Sequence, residues 1–125
     1  QLAPKDAAYW RLLAVFCAQY TYQVEEVGIP AAAQVLALYP NEAASHDLLG
    51  WMYLSANATA LAEAEFLSAL RLDPNYAAAH LHLGVTYIQL DKMAPAREHL
   101  IQAQALDPQG ADGLAAAQLL AQYFP

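Results

Sequence analysis

Residues 43–76 can be laid over residues 77–110 at a shift of 34 without a gap, and this repeat restricts the fold more than any other feature of the chain. His46 meets His80, Leu49 meets Leu83, Gly50 meets Gly84 and Tyr53 meets Tyr87. Further on, Ala62 meets Ala96, Phe66 meets Leu100, Ala69 meets Ala103, and Leu72-Asp73-Pro74 meets Leu106-Asp107-Pro108. A period of this size marks a supersecondary unit that buries its apolar face only by stacking on its neighbours. Within one unit, His46, Leu49, Gly50 and Tyr53 fall at i, i+3, i+4 and i+7, one stripe of a helix, and Ala62, Phe66, Ala69 and Leu70 make a second stripe. Each unit is therefore predicted to be a helical hairpin.

The punctuation agrees with that reading. Asn57 or Thr59 in one unit and Asp91 in the other are candidates to cap the second helix through their side-chain oxygens. "LDPN" and "LDPQ" end it, because a proline disfavours helical geometry in the residue before it. Asn75 is placed to cap the helix that follows. A glycine inside a helix costs about 1 kcal/mol. Its recurrence at 50 and 84 implies a close crossing, with the small Ala62 and Ala96 opposite.

Ala and Leu dominate, and the prolines fall between apolar runs, which favours helices throughout. At 125 residues the expectation is one domain, 1–125, with a single continuous core. Five Lys and Arg against twelve Asp and Glu give a net charge of -7, which repels phosphate backbones and anionic membrane surfaces, so no nucleic-acid partner is expected. The longest apolar run, Leu12 to Ala18, is far short of the roughly 20 residues a membrane-spanning helix needs, so no membrane insertion is expected. The lone Cys17 excludes an internal disulfide and is compatible with a reducing compartment; the cytoplasm is the expected location. The chain opens "QLAPKD" without Met and ends "AQYFP", which suggests a piece of a longer protein.

The order apolar, Gly, Tyr, Ala, Phe, Ala, Pro resembles the tetratricopeptide repeat (TPR). It is carried by Leu49, Gly50, Tyr53, Ala62, Phe66, Ala69 and Pro74 in one unit, and by Leu83, Gly84, Tyr87, Ala96, Leu100, Ala103 and Pro108 in the next. His46 and His80 depart from the pattern, standing where the family often has Trp, and Leu100 replaces an aromatic. The resemblance implies an all-α fold: a right-handed α-α superhelix, or solenoid, of about three TPR hairpins plus a C-terminal capping helix. The units are 5–42, a divergent first repeat, then 43–76 and 77–110, with a closing helix at 111–124. In the first unit, either Phe16 takes the glycine position, or Trp10, Leu13 and Ala14 form the signature and about two extra residues precede Pro30. The second register is preferred, with a short second helix starting near Ile29.

Carrying over the family's groove positions selects Asp47, Trp51, Leu54 and Ser55, then Leu81, Val85, Ile88 and Gln89, with Ala115, Leu119 and Gln122 on the closing helix. The resemblance thus implies a non-catalytic scaffold that binds a peptide or helix of a partner protein in a largely apolar groove. Asp47, Leu81 and Val85 lack the cations with which some members clamp a terminal carboxylate. The same row is otherwise expected to be covered by the chain's own N-terminal helix, by further repeats or by a second copy. Self-association and a substrate-recruiting role beside a separate catalytic domain are the alternative functions.

Chemistry is not expected. His80 and His82 point to different helix faces, unlike a zinc-binding i, i+4 pair, and His46 and His80 are explained by packing on the neighbouring helix. No phosphate loop or nucleophile elbow occurs, and Glu25, Glu26, Glu63 and Glu65 are read as solvated helix faces. Neither metal nor cofactor is expected.

Overall fold

The computed structural model describes residues 6–125, so Lys5, the expected start of the first unit, lies outside the described residues. Among the described residues there are seven α-helices and no strand. The helices are α1 (Ala7–Gln19), α2 (Ile29–Leu38), α3 (Ala43–Ser55), α4 (Thr59–Leu72), α5 (Ala77–Gln89), α6 (Met93–Leu106) and α7 (Ala111–Tyr123). Helices α3 with α4 and α5 with α6 are antiparallel hairpins, and α7 packs on both α6 and α5. None of the described helices is long and apolar enough to cross a membrane.

The core is laid down in layers along the stack. One layer joins α1 and α2 to α3 through Ala14, Val24, Ala32, Val35, Leu49 and Met52. The next joins the second hairpin to the third through Leu54, Ala62, Phe66, Leu83 and Tyr87. A third, with Leu81, Leu100, Ala103 and Ala116, seals the third hairpin under α7. Each hairpin buries its apolar stripe only between its neighbours, as a quasi-one-dimensional stack requires.

The glycine crossings differ in one respect from the sequence expectation. The space over Gly50 is filled by the Phe66 ring: an added Cβ would stand 2.5 Å from Phe66 Cε1. Over Gly84 it is Leu100 Cδ2, also at 2.5 Å. At Gly50 a side chain of the second helix, rather than its backbone beside Ala62, claims the room; at Gly84 the Ala96 carbonyl oxygen also stands 3.4 Å from the added Cβ, so there the backbone approaches closely as well. Phe66 and Leu100 differ by one substitution in the repeat and fill equivalent notches, and both are fully buried.

The turn residues also do something other than cap. Asn57 and Asp91 adopt left-handed backbone, with φ of 63° and 58°, and end α3 and α5; no side chain caps the start of α4 or α6. The N–H groups of Ala58 and Lys92 reach back to the carbonyls of Tyr53 and Tyr87, each at 2.8 Å, closing the helix end. Asn and Asp tolerate this conformation better than other non-glycine residues, which is why they recur here. Asn75 does not cap α5 either: its N–H donates to Asp73 Oδ1 at 3.1 Å.

In the first unit, Ala14 is fully buried while Phe16 is 49% exposed, so Trp10-Leu13-Ala14 takes the signature register. The extra residues form a π-helical turn, Val24–Gly28, entered through Gln23 in left-handed conformation. Gly28 rests between Cys17 and Met52, where an added Cβ would be 3.0 and 3.1 Å from them.

The two repeat histidines are bonded rather than merely packed. His46 Nε2 lies 3.0 Å from the Pro40 carbonyl and its Nδ1 2.9 Å from Glu65 Oε1. His80 Nε2–H donates to the Pro74 carbonyl at 2.8 Å, which leaves its Nδ1 to accept from His99 Nδ1–H at 3.0 Å. Each ring ties its own hairpin to the turn before it. Glu65 therefore leaves the solvated class, and so does Glu63, which accepts a 2.7 Å hydrogen bond from the Tyr87 hydroxyl across the inter-hairpin joint. Burial, then the bond and charge of Glu63, push Tyr87 up to about 12.

Ser45 occupies a fully buried site whose counterpart one repeat on is Ala79, and its Oγ has no hydrogen-bond partner among the described residues. Burying an unsatisfied hydroxyl costs about 1–3 kcal/mol. Ser45→Ala is thus expected to raise the thermal midpoint, read by circular dichroism; a lowered midpoint would show that the hydroxyl is satisfied.

Candidate groove between the first helices

The inner helices α1, α3 and α5, with the start of α7, surround a hollow of about 300 Å³. Arg11 and Val15 form the α1 wall, Asp47, Leu48 and Trp51 the α3 floor, Tyr76, Ala78 and His82 the α5 side, and Asp112 the far lip. Spacing explains the convergence: Asp47 and Trp51 are four apart on α3, as are Ala78 and His82 on α5, so each pair shares one helix face.

At the centre, His82 Nδ1–H donates to Asp47 Oδ1 at 2.8 Å. The His82 ring lies nearly parallel to Trp51, centroids 6.0 Å apart, and 5.3 Å from the Phe66 ring behind it. Burial works against a charged imidazole here, but the Asp47 carboxylate, by charge and by hydrogen bond, outweighs it, and His82 ends above its ordinary value. Asp112 is held up by burial and by the Asp107 and Asp47 charges, although His82 opposes them. Tyr76 is raised by burial, then by Asp47, with Arg11 pulling the other way.

These directions predict a two-sided pH dependence. A raised His82 contributes stability that is complete below its unfolded value of about 6.5 and is lost as pH rises through the higher folded value. His99 has the opposite sign: burial and the neighbouring His80 lower it, so stability falls as pH drops below 6.5, where the unfolded chain binds the extra proton. Unfolding midpoints across pH should lose the alkaline decline in Asp47→Asn and the acid decline in His99→Gln. Unchanged profiles in both variants would count against these assignments.

The row selected by resemblance divides. Asp47 and Trp51 face the hollow, but Leu54 and Leu81 are each only 8% exposed. Leu81 is sealed with Ala115 and Leu119 under α7, and Leu54, Val85 and Ile88 belong to the layer that Phe124 closes. Ser55 is half-buried, and Gln89 and Gln122 are exposed away from the hollow. Arg11, Tyr76, His82 and Asp112 were not selected, because the transferred positions cover one face of each first helix and the hollow opens one residue further round.

A larger cavity, about 580 Å³, lies against α6 and the turn before α5, lined by Pro74, His80, Glu98, His99, Ile101 and Gln102. It holds the histidine pair already described. Cys17 is buried in the first layer and burial pushes its thiol up, opposite to what a nucleophile needs. Among the described residues, no group of three or more His, Cys, Asp or Glu is placed to hold a metal ion.

The tetratricopeptide-repeat family model matches residues 77–109, the third hairpin. A comparison with curated proteins by sequence returns no match. Solved structures align over nearly the whole chain at low identity. The TPR2B domain of yeast Sti1, in a pHsp70 complex, has a TM-score of 0.79 and 19% identity over 94% of this chain and 93% of that one. The first TPR of Spaghetti (RPAP3), bound to the HSP90 peptide SRMEEVD, gives 0.78 and 16% over 93% of each. A thermophilic TPR protein of Thermus thermophilus, TTC0263, gives 0.80 and 22% over 95% of this chain and 66% of that one. At these identities the likeness establishes the fold: a right-handed α-α superhelix of three hairpins with a closing helix.

Proposed function

We propose that this chain, a member of the tetratricopeptide-repeat family, is a non-catalytic interaction module that holds a peptide segment of a partner protein in the hollow between its first helices. The carrying observation is the hollow itself, with Trp51 in its floor and polar groups from α1, α5 and α7 around its rim. An aromatic floor with a few placed polar groups is what a peptide site needs for affinity and for register. The neighbours solved with pHsp70 and with an HSP90 peptide support the same use of the fold.

The test is selection of peptides from a displayed random library, followed by amide chemical-shift mapping on the full chain. Selected peptides are expected to move Arg11, Trp51, His82 and Asp112 together, and Trp51→Ala should weaken them at least about tenfold, as removal of an aromatic anchor does. Peptides that map to the outer helices α4 and α6 would overturn the assignment. Leu81 is unsuitable as a probe, because changing it would disturb the seal under α7.

Self-association is a second reading, favoured by one surface. Tyr9, Leu12, Phe16, Tyr20 and Tyr22 are all exposed on α1 and the turn after it. Tyr9 and Phe16 stand where Ser45 and Met52 in α3, and Ala79 and Thr86 in α5, are fully buried at the joint with the preceding hairpin. Light scattering over a concentration series would show a dimer that Phe16→Glu disperses; a monomer throughout would rule this reading out.

A further inference from the structure

The charges around the hollow say which peptides suit it. Asp47, on the floor, is 6% exposed, and Asp112 stands at the α7 lip. The ion pairs among the described residues are His46 with Glu65 and His82 with Asp47, so no described Lys or Arg pairs with Asp112. Arg11 lines the opposite wall, on α1. We propose that the hollow selects a peptide bearing a lysine or arginine among apolar residues, the cation reaching Asp112 beside Asp47 and the apolar neighbours lying on Trp51, Val15 and Leu48.

The inference rests on the groove reading above and adds the chemistry of its occupant. Asp47 acts on three of the lining groups. His82, Asp112 and Tyr76 all hold their protons more tightly than usual, and Asp47 is among the causes in each. For Asp112 and Tyr76 burial is the larger cause, but His82 is raised against its own burial, so Asp47 dominates the charge around that ring even with Arg11 on the wall. The chain as a whole carries -7, which draws a basic segment towards it and repels an acidic one. An acidic side chain near the α7 lip would face the Asp112 carboxylate, whereas Asp47 is already paired with His82, and an unpaired like charge in a partly desolvated site discriminates strongly between partners. The occupant therefore differs in charge from SRMEEVD, the acidic peptide held by one of the structural neighbours.

The probes are three fluorescein-labelled peptides of Leu, Ala and Ser that differ only at one central residue, Lys, Gln or Glu. Polarisation against the full chain is expected to rank them Lys, Gln, Glu, with about a tenfold span from first to last. The span should shrink as salt is added. Asp112→Asn should compress the ranking and Asp112→Lys should invert it, while circular dichroism stays that of the parent; if Asp112→Lys loses helicity, Asp112→Asn alone carries the comparison. Equal affinities, or tightest binding by the Glu peptide, with Trp51 and His82 amides still shifting, overturn the charge preference and leave the groove reading standing. Failure of all three peptides to shift those amides overturns both.

Discussion

Phe66→Ala is expected to remove about 4 kcal/mol of folding stability, the middle of the range for deleting a buried aromatic. The ring is wholly buried, fills the notch over Gly50 and lies in the layer that joins the second hairpin to the third. Truncation leaves a cavity that cannot close from either side, since Gly50 has no side chain to offer and Ala62 is small. It also takes away the rear support of the His82 ring, so the hollow should lose its shape along with its stability. Urea unfolding followed at Trp fluorescence measures the first effect, and the His82 ring resonances report the second. Phe66→Leu reproduces the third unit, where Leu100 sits over Gly84, and should cost much less. A Phe66→Ala variant within about 1 kcal/mol of the parent would mean that the layer repacks freely.

The second large effect concerns a residue with no place in the repeat signature. Gly113, in the first turn of α7, lies so close to the preceding turn that an added Cβ would fall 1.7 Å from the Asp107 carbonyl oxygen and 2.5 Å from its carbon. Those are backbone atoms and have no rotamer to change. Gly113→Ala should therefore lift the start of α7 from the third hairpin, exposing Leu81, Leu100 and Ala103, at a cost of at least about 3 kcal/mol. At Gly50 an alanine meets the Phe66 ring, and at Gly84 it meets the more adaptable Leu100 tip. The expected order of damage is Gly113, Gly50, Gly84. In each case alanine's better helix propensity, about 1 kcal/mol, works the other way, so any measured loss understates the clash. Hydrogen exchange should show α7 amides freed first in Gly113→Ala; uniform exchange across the chain would contradict a local detachment.

What could be read from the sequence was what repeats. Two aligned units show which positions are small, apolar or helix-ending, and that was enough to place four helices and their pairing. Other features carried less signal. Gly113 falls in register with Ala79 and Ser45, so the row shows that the position is small but not that even a Cβ is excluded, and the π turn at Val24–Gly28 depends on accommodating an insertion, which no periodicity encodes. Asn57 and Asp91 were seen to matter, but residue type alone does not separate a side-chain cap from a left-handed helix stop, because the same short polar groups suit both. The hollow was legible only at Asp47 and Trp51. Its other half comes from Arg11, His82 and Asp112, whose approach depends on how far each hairpin rotates on the last, and that angle is set by the bulk of Phe66, Leu100 and the residues between layers.

The layering of the core also bears on movement. Helix α1 packs on α2, on the π turn and on α3, and its backbone makes no close approach to α5, α6 or α7. Arg11 and Asp112 thus hold opposite sides of one opening with no strut between them. A few degrees of bend shared between two joints would change the distance between those sides by more than any single side chain could, so the molecule should pinch and relax like a leaf spring, gripping whatever lies inside without breaking a layer.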